Sequence, residues 1–222
     1  MKITGLALAI AMTVPFAAGA ATMSATNLTV NIYQSDNTGN TGNTADAILA
    51  NVGPANFLGT ASFTGILDFD TQDSADTSTI DDWLTSKGGT YTELGAGFDE
   101  TLKISFPDIG TNSARTTWFE FIGGSASVFD FTVKHDDGVC FYESGVQETC
   151  SQTPTQVVTT NGFSYDGGVF QLLYAATNGD PSVLKVTSND DVTLEPVPLP
   201  ASALLLMGGL AGLGMMRRRR KS

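Results

Sequence analysis

The body of this chain, from Ala21 to Glu195, contains no long amphipathic helix, and that omission constrains its fold more than any other feature. Leu28 to Tyr33 instead alternates apolar and polar residues, the period-two pattern of a half-buried strand. Further strands are predicted over Phe57–Phe69, Thr90–Leu94, Glu100–Phe106, Thr116–Phe121, Ser127–Lys134, Gly138–Tyr142, Thr155–Thr160, Gly168–Thr177 and Ser182–Leu194. Gly, Asn and Asp separate them, and the repeated Asn-Thr-Gly of residues 36–44 reads as a solvated loop. Ala45–Val52 has room for a helical turn or two, and Thr79–Ser86 around Trp83 for one short helix. The expectation is an all-β fold, a single β-sandwich or jelly roll.

Both ends are built differently. Lys2 precedes the apolar run Ile3–Val14, Pro15 breaks it, and Ala18-Gly19-Ala20 supplies the small residues of a signal-peptidase site with Ala21 as the new N-terminus. At ~1.5 Å per residue the run is too short to span a bilayer core, so residues 1–20 read as a cleaved secretory signal for the Sec machinery. At the other end, Leu199–Met216 is apolar and reaches roughly 27 Å as a helix, enough to cross. Arg217, Arg218, Arg219, Arg220 and Lys221 close it and hold that end on the cytoplasmic side, leaving the body outside. Prolines at 196, 198 and 200 keep the preceding linker extended. The division is therefore a signal peptide over 1–20, one secreted domain over 21–195 and a terminal segment over 196–222.

The order of Val197, Pro198, Leu199, Pro200 and Ala201, then an apolar helix, then an arginine cluster, resembles the VPLPA variant of exosortase-sorted (PEP-CTERM-like) C-terminal signals. The resemblance implies an exosortase-type transpeptidase that cuts near the motif. It also implies transient anchoring in the inner membrane, followed by transfer to the cell surface or extracellular matrix.

Loss of both ends removes six of the 11 cations and none of the 23 acids, so the body carries 5 positive charges and a net charge of −18. Such a surface repels nucleic acid and suits a secreted protein, and it offers many oxygen ligands for a hard cation. Cys140 and Cys150, close together in an exported chain, favour a disulfide worth about 2–3 kcal/mol. A metal site is their rival, but His135 is the sole histidine and more Cys or His would be needed.

The most informative internal stretch is Asp136-Asp137-Gly138, which an alternating strand enters and a second strand leaves. It reads as a hairpin with two carboxylates at its tip. With the later Val169–Val186 segment, it resembles the PA14 and GLEYA-type β-sandwiches of surface proteins. In sugar-binding members of that group, paired aspartates hold Ca²⁺, which grips glycan hydroxyls. The resemblance implies Asp136 and Asp137 as ligands, with Asn178 and Asp180 as partners and extracellular polysaccharide as the target. Asp-Asp-Gly is also an ordinary tight turn. The acidic run Asp68–Asp76 departs from an EF-hand at residue 73 and at Thr79, and reads as a solvated loop. One histidine, no G-x-S-x-G and no free cysteine leave no hydrolytic constellation, so a non-enzymatic binding or structural matrix protein is expected.

Overall fold

The computed structural model describes residues 21–38, 46–71, 77–94, 98–103, 113–152, 156–177 and 181–197. Among them lie β1 (Ala21–Thr22), β2 (Ser24–Thr38), β3 (Phe57–Ile66), β4 (Asp68–Thr71), β5 (Thr90–Glu93), β6 (Ser113–Gly123) and β7 (Phe129–Asp136). They continue with β8 (Val139–Glu143), β9 (Val146–Ser151), β10 (Val158–Tyr165), β11 (Phe170–Ala176), β12 (Ser182–Ser188) and β13 (Thr193–Leu194). A short helix, α1 (Ile80–Thr85), and a 3₁₀ turn over Leu49–Asn51 complete the set.

The strands make two sheets. The smaller runs β1-β12-β7-β10, with β4 on the same edge of β12 as β1; the larger runs β5-β3-β2-β6-β11-β8-β9, with β13 added parallel to β2. Alternation sends one face of each sheet inward. Phe129, Phe131 and Val133 of β7 meet Phe119 and Phe121 of β6, Phe141 of β8 and Phe170 and Leu172 of β11 in one continuous core. Each such side chain contributes about 1.5–3 kcal/mol on burial. A second, smaller cluster lies outside the larger sheet, where Trp118, Tyr142 and Leu173 are covered by Ala47 and its neighbours.

Helix α1 starts where its cap allows. Thr79 accepts from the Asp82 amide at 3.1 Å while the Asp82 carboxylate accepts from the Thr79 amide at 2.8 Å. The helix inserts Trp83, fully buried, between Phe69, Phe119 and Tyr174, with ring centroids 4.4, 4.2 and 5.2 Å away. Its indole N–H donates to the carbonyl of Ser182 at 3.0 Å.

Several details differ from the sequence reading: of the predicted Glu100–Phe106 strand, the described residues 100–103 make only an isolated bridge from Thr101 to Thr79. The Phe57–Phe69 run is two strands in different sheets, because the chain turns at Leu67 between β3 and β4. The Asp136-Asp137-Gly138 stretch is not a hairpin tip: β7 pairs with β10 and β12, whereas β8 pairs with β11 and β9, so the turn crosses from one sheet to the other. The 169–186 segment crosses likewise, with β11 in the larger sheet and β12 in the smaller. Among the described residues no helix is long and apolar enough to cross a membrane; residues 1–20 and 198–222 lie outside them.

Candidate functional site

Every strand of the smaller sheet points one end toward the Asp136 pole or the opposite one. β7 enters at Phe129 and travels eight residues, about 25 Å, to Asp136. The other pole collects the described chain ends. Ala21 pairs with Ser188, and Glu195 exchanges two 2.9 Å backbone hydrogen bonds with Gly124, five residues before β7 begins. A groove of about 830 Å³ opens beside that exit, lined by Ser125, Tyr165, Gly168, Asp191, Thr193 and Pro196 among others.

At the far pole, the crossing turn is zipped onto the end of β11. Asp137 N–H donates to Ala175 O at 3.3 Å, Ala175 N–H donates to Gly138 O at 2.9 Å, and Thr177 N–H donates to Asp137 Oδ2 at 2.7 Å. Asp136 and Asp137 are joined by a cis peptide bond, and both are buried, at 3% and 1% exposure. The Tyr174 phenol donates to Asp136 O. Burial first, then the charges of Asp137 and Asp136, push that phenol well above its ordinary pKa. His135 is also buried, with Nδ1 against Asp137 O and Nε2 2.8 Å from Thr160 Oγ1. Burial lowers its pKa, so the imidazole stays neutral at pH 7.

The structure therefore buries Asp136 and Asp137 among polar groups where the chain crosses between sheets, rather than leaving them at an exposed tip. Asn178 and Asp180 lie outside the described residues, but both flanks of their segment reach this crossing: Thr177 bonds Asp137, and Val183 pairs with Asp136. Among the described residues no group of three or more His, Cys, Asp or Glu is placed to hold a metal ion. Cys140 and Cys150 face each other across β8 and β9 and are disulfide-bonded. Asp68 and Asp70, read as part of a loop, belong to β4 and pair with Lys185 at 2.7 Å and Lys87 at 3.5 Å.

Of the terminal residues singled out in the sequence, Ala21 opens β1 and Val197 is exposed beyond the Glu195 bridge. Ala18, Ala20, Pro198, Leu199, Pro200, Ala201, Arg217, Arg218, Arg219, Arg220 and Lys221 lie outside the described residues.

Sequence reasoning passed over Thr71, Tyr174, Thr177 and Ser182, which line this pole. Thr71 and Ser182 are cross-strand partners in β4 and β12, both buried. Only the alternation of Phe69 with Thr71 and of Ser182 with Leu184 hinted that these polar residues point inward.

No family model and no curated protein matches the chain. Among solved structures, the chain is similar to the PA14 domain of the MpAFP antifreeze protein, with 13% identity, a TM-score of 0.45, and 77% of this chain and 86% of that one covered. It is also similar to a PA14 sugar-binding domain from an RTX adhesin, with 17% identity, a TM-score of 0.49, and coverage of 74% and 90%. A third match, at 12% identity and a TM-score of 0.33, is the GH31 alpha-xylosidase from Xanthomonas citri; it covers 78% of this chain but 14% of that one.

Proposed function

We propose that this is an exported surface or matrix protein whose β-sandwich binds extracellular polysaccharide through a calcium ion held at Asp136 and Asp137. The observation that carries the reading is the burial of two adjacent carboxylates, at 3% and 1% exposure, in a sandwich pole. Burying charge is costly unless it is paired; both carboxylates have partners within the fold, and a hard cation would be a further one that oxygen donors suit. The donors on this reading are carboxylate oxygens from Asp136 and Asp137, with Asn178 and Asp180, which lie outside the described residues, as the further partners that the motif implies. Bound there, calcium would supply open coordination positions for vicinal sugar hydroxyls. The chain's own part is to hold the crossing turn on β11 by backbone bonds, to fix the Asp137 carboxylate by the Thr177 amide, and to hold the Asp136 carbonyl by the Tyr174 phenol.

The resemblance of Asp136-Asp137-Gly138 to the sugar-binding PA14 motif supports the ligand class. The −18 charge of the body supports a neutral glycan over an anionic one, and over nucleic acid. A non-catalytic role is supported by His135, the one histidine, whose two ring nitrogens are both engaged within the fold. Export is supported by the 1–20 signal, and sorting by an exosortase-type enzyme by the 197–221 segment. With the described chain ends at one pole and the carboxylates at the other, an anchored body would turn its binding pole away from the membrane.

A glycan array read with calcium and with EDTA tests the binding claim. Calcium-dependent signals that vanish in Asp137→Asn are expected; no signal in either condition would favour a space-filling matrix component instead. Intact mass of the secreted protein tests sorting, which a retained Arg217–Lys221 terminus would contradict.

A further inference from the structure

Strand β7 sends every second side chain into the core. Phe129, Phe131 and Val133 are buried there, and the next inward position holds His135, also fully buried. An imidazole at that place costs the desolvation of two ring nitrogens, which a leucine would avoid. The fold meets that cost with two specific partners. Nδ1 faces the carbonyl oxygen of Asp137, and Nε2 lies 2.8 Å from Thr160 Oγ1 on the neighbouring strand β10. A carbonyl oxygen only accepts, so Nδ1 carries the proton and donates to it. The neutral ring then offers Nε2 as an acceptor, and the Thr160 hydroxyl donates to it.

What the imidazole holds is the peptide that leads from Asp137 into Gly138. Strand β11 grips the turn on either side of it: Asp137 N–H donates to Ala175 O at 3.3 Å, and Ala175 N–H donates to Gly138 O at 2.9 Å. The Asp137 carbonyl between those two bonds is held by His135 instead. The Asp137 carboxylate belongs to the same residue and is fixed at Oδ2 by the Thr177 amide at 2.7 Å. His135 thus secures, from the smaller sheet, a residue whose amide and carboxylate are secured by β11 and the residue after it.

We infer that His135, oriented by Thr160, is a positioning residue of the cation site at Asp136 and Asp137. Its Nδ1–H sets the direction of the Asp137 peptide and, through it, the aim of the carboxylate. The inference rests on the calcium reading and extends it to a group behind the donors, where partners alter affinity about 10–100-fold without touching the ion.

Two measurements on the full chain test it. Nitrogen-15 NMR in EDTA reads the ring tautomer, with no overlap because His135 is the only histidine. A protonated Nδ1 and a bare Nε2 are expected; the opposite tautomer would overturn the inference. Calorimetric calcium titration then reads the positioning. His135→Leu removes the donor and should weaken calcium about tenfold or more. His135→Asn keeps an N–H near the place of Nδ1 and should bind much as the parent does. Thr160→Val, at a half-buried position, guards against simple loss of folding. It should unfold in EDTA close to the parent's Tm yet bind calcium several-fold more weakly, and Thr160→Ser should restore the affinity. If His135→Leu and Thr160→Val bind calcium as tightly as the parent, the positioning role falls and the carboxylate site stands. A parent chain that binds no calcium would remove the site itself, whichever tautomer the ring shows.

Discussion

The two poles of the sandwich are closed by different means. At the Gly124 pole, backbone meets backbone: Glu195 and Gly124 exchange amide hydrogen bonds, and the side chains of Asp190, Asp191 and Glu195 remain exposed to water. At the Asp136 pole, the closure is made of polar side chains drawn inside, with His135, Asp136, Asp137, Thr71, Thr177 and Ser182 all buried. The first arrangement is inexpensive, since every charge keeps its hydration. The second opposes folding, because each buried polar group surrenders water and each buried charge does so at greater cost. Stability alone explains the first pole; the proposed cation site would explain the second.

The contrast can be broken at its foundation. Trp83 stacks on Phe69, Phe119 and Tyr174 and holds Ser182 O, so it supports the carboxylate pole from beneath. Trp83→Ala should cost about 3–5 kcal/mol, read as a large loss in urea midpoint. Replacing Cys140 and Cys150 together by Ser should cost about 2–3 kcal/mol and loosen β8 where it leaves the crossing turn. Hydrogen exchange should locate that loosening in β8 and β9, not at the Gly124 pole.

Gly123→Ala strikes the other pole. A Cβ there would meet Leu28 Cδ1 and come 2.7 Å from Glu195 O, so a loss of about 1–3 kcal/mol is expected with the calcium response unchanged. If that response disappears as well, the poles are not independent. Asp137→Asn should do the reverse, abolishing a calcium-dependent rise of several degrees in Tm while the Glu195–Gly124 pairing keeps its exchange protection.

The smallest effect belongs to a surface pair. Arg115 donates from Nε to Asp36 at 2.7 Å and from Nη2 at 3.0 Å, and this holds the Asp36 carboxyl below its ordinary 3.8. A carboxylate pKa that is lower in the folded state stabilises above pH 3.8 and loses that contribution as pH falls through the depressed value. The Asp36 side chain is half exposed, so Asp36→Asn should cost only about 0.5 kcal/mol near neutrality, a difference that closes at the acid end of a pH–stability profile.

Much of the β architecture was legible because alternation is a local signal: β2 and β7 each contain residues whose apolar face reads directly from the sequence, whereas β11 is apolar on both faces. The short helix around Trp83 was legible too, though not its Thr79–Asp82 cap, and so was the disulfide, from cysteine spacing and an exported context. What the sequence hid is which sheet a strand joins. Asp136-Asp137-Gly138 has the composition of a hairpin turn, and turn chemistry does not encode whether the next strand pairs with the last one. Its carboxylates therefore looked exposed and proved buried. Thr71 and Ser182 were hidden more completely, because a Thr or Ser at the end of a strand is ordinary until its partners across two sheets are known.

Calcium titration of the full chain, beside a variant with Asp136 and Asp137 both changed to Asn, weighs the binding pole most directly. One ion taken up per parent chain, and none by the double variant, is the predicted outcome. A parent that evolves no binding heat, or a double variant that binds as the parent does, would mean that these carboxylates are buried for some other purpose.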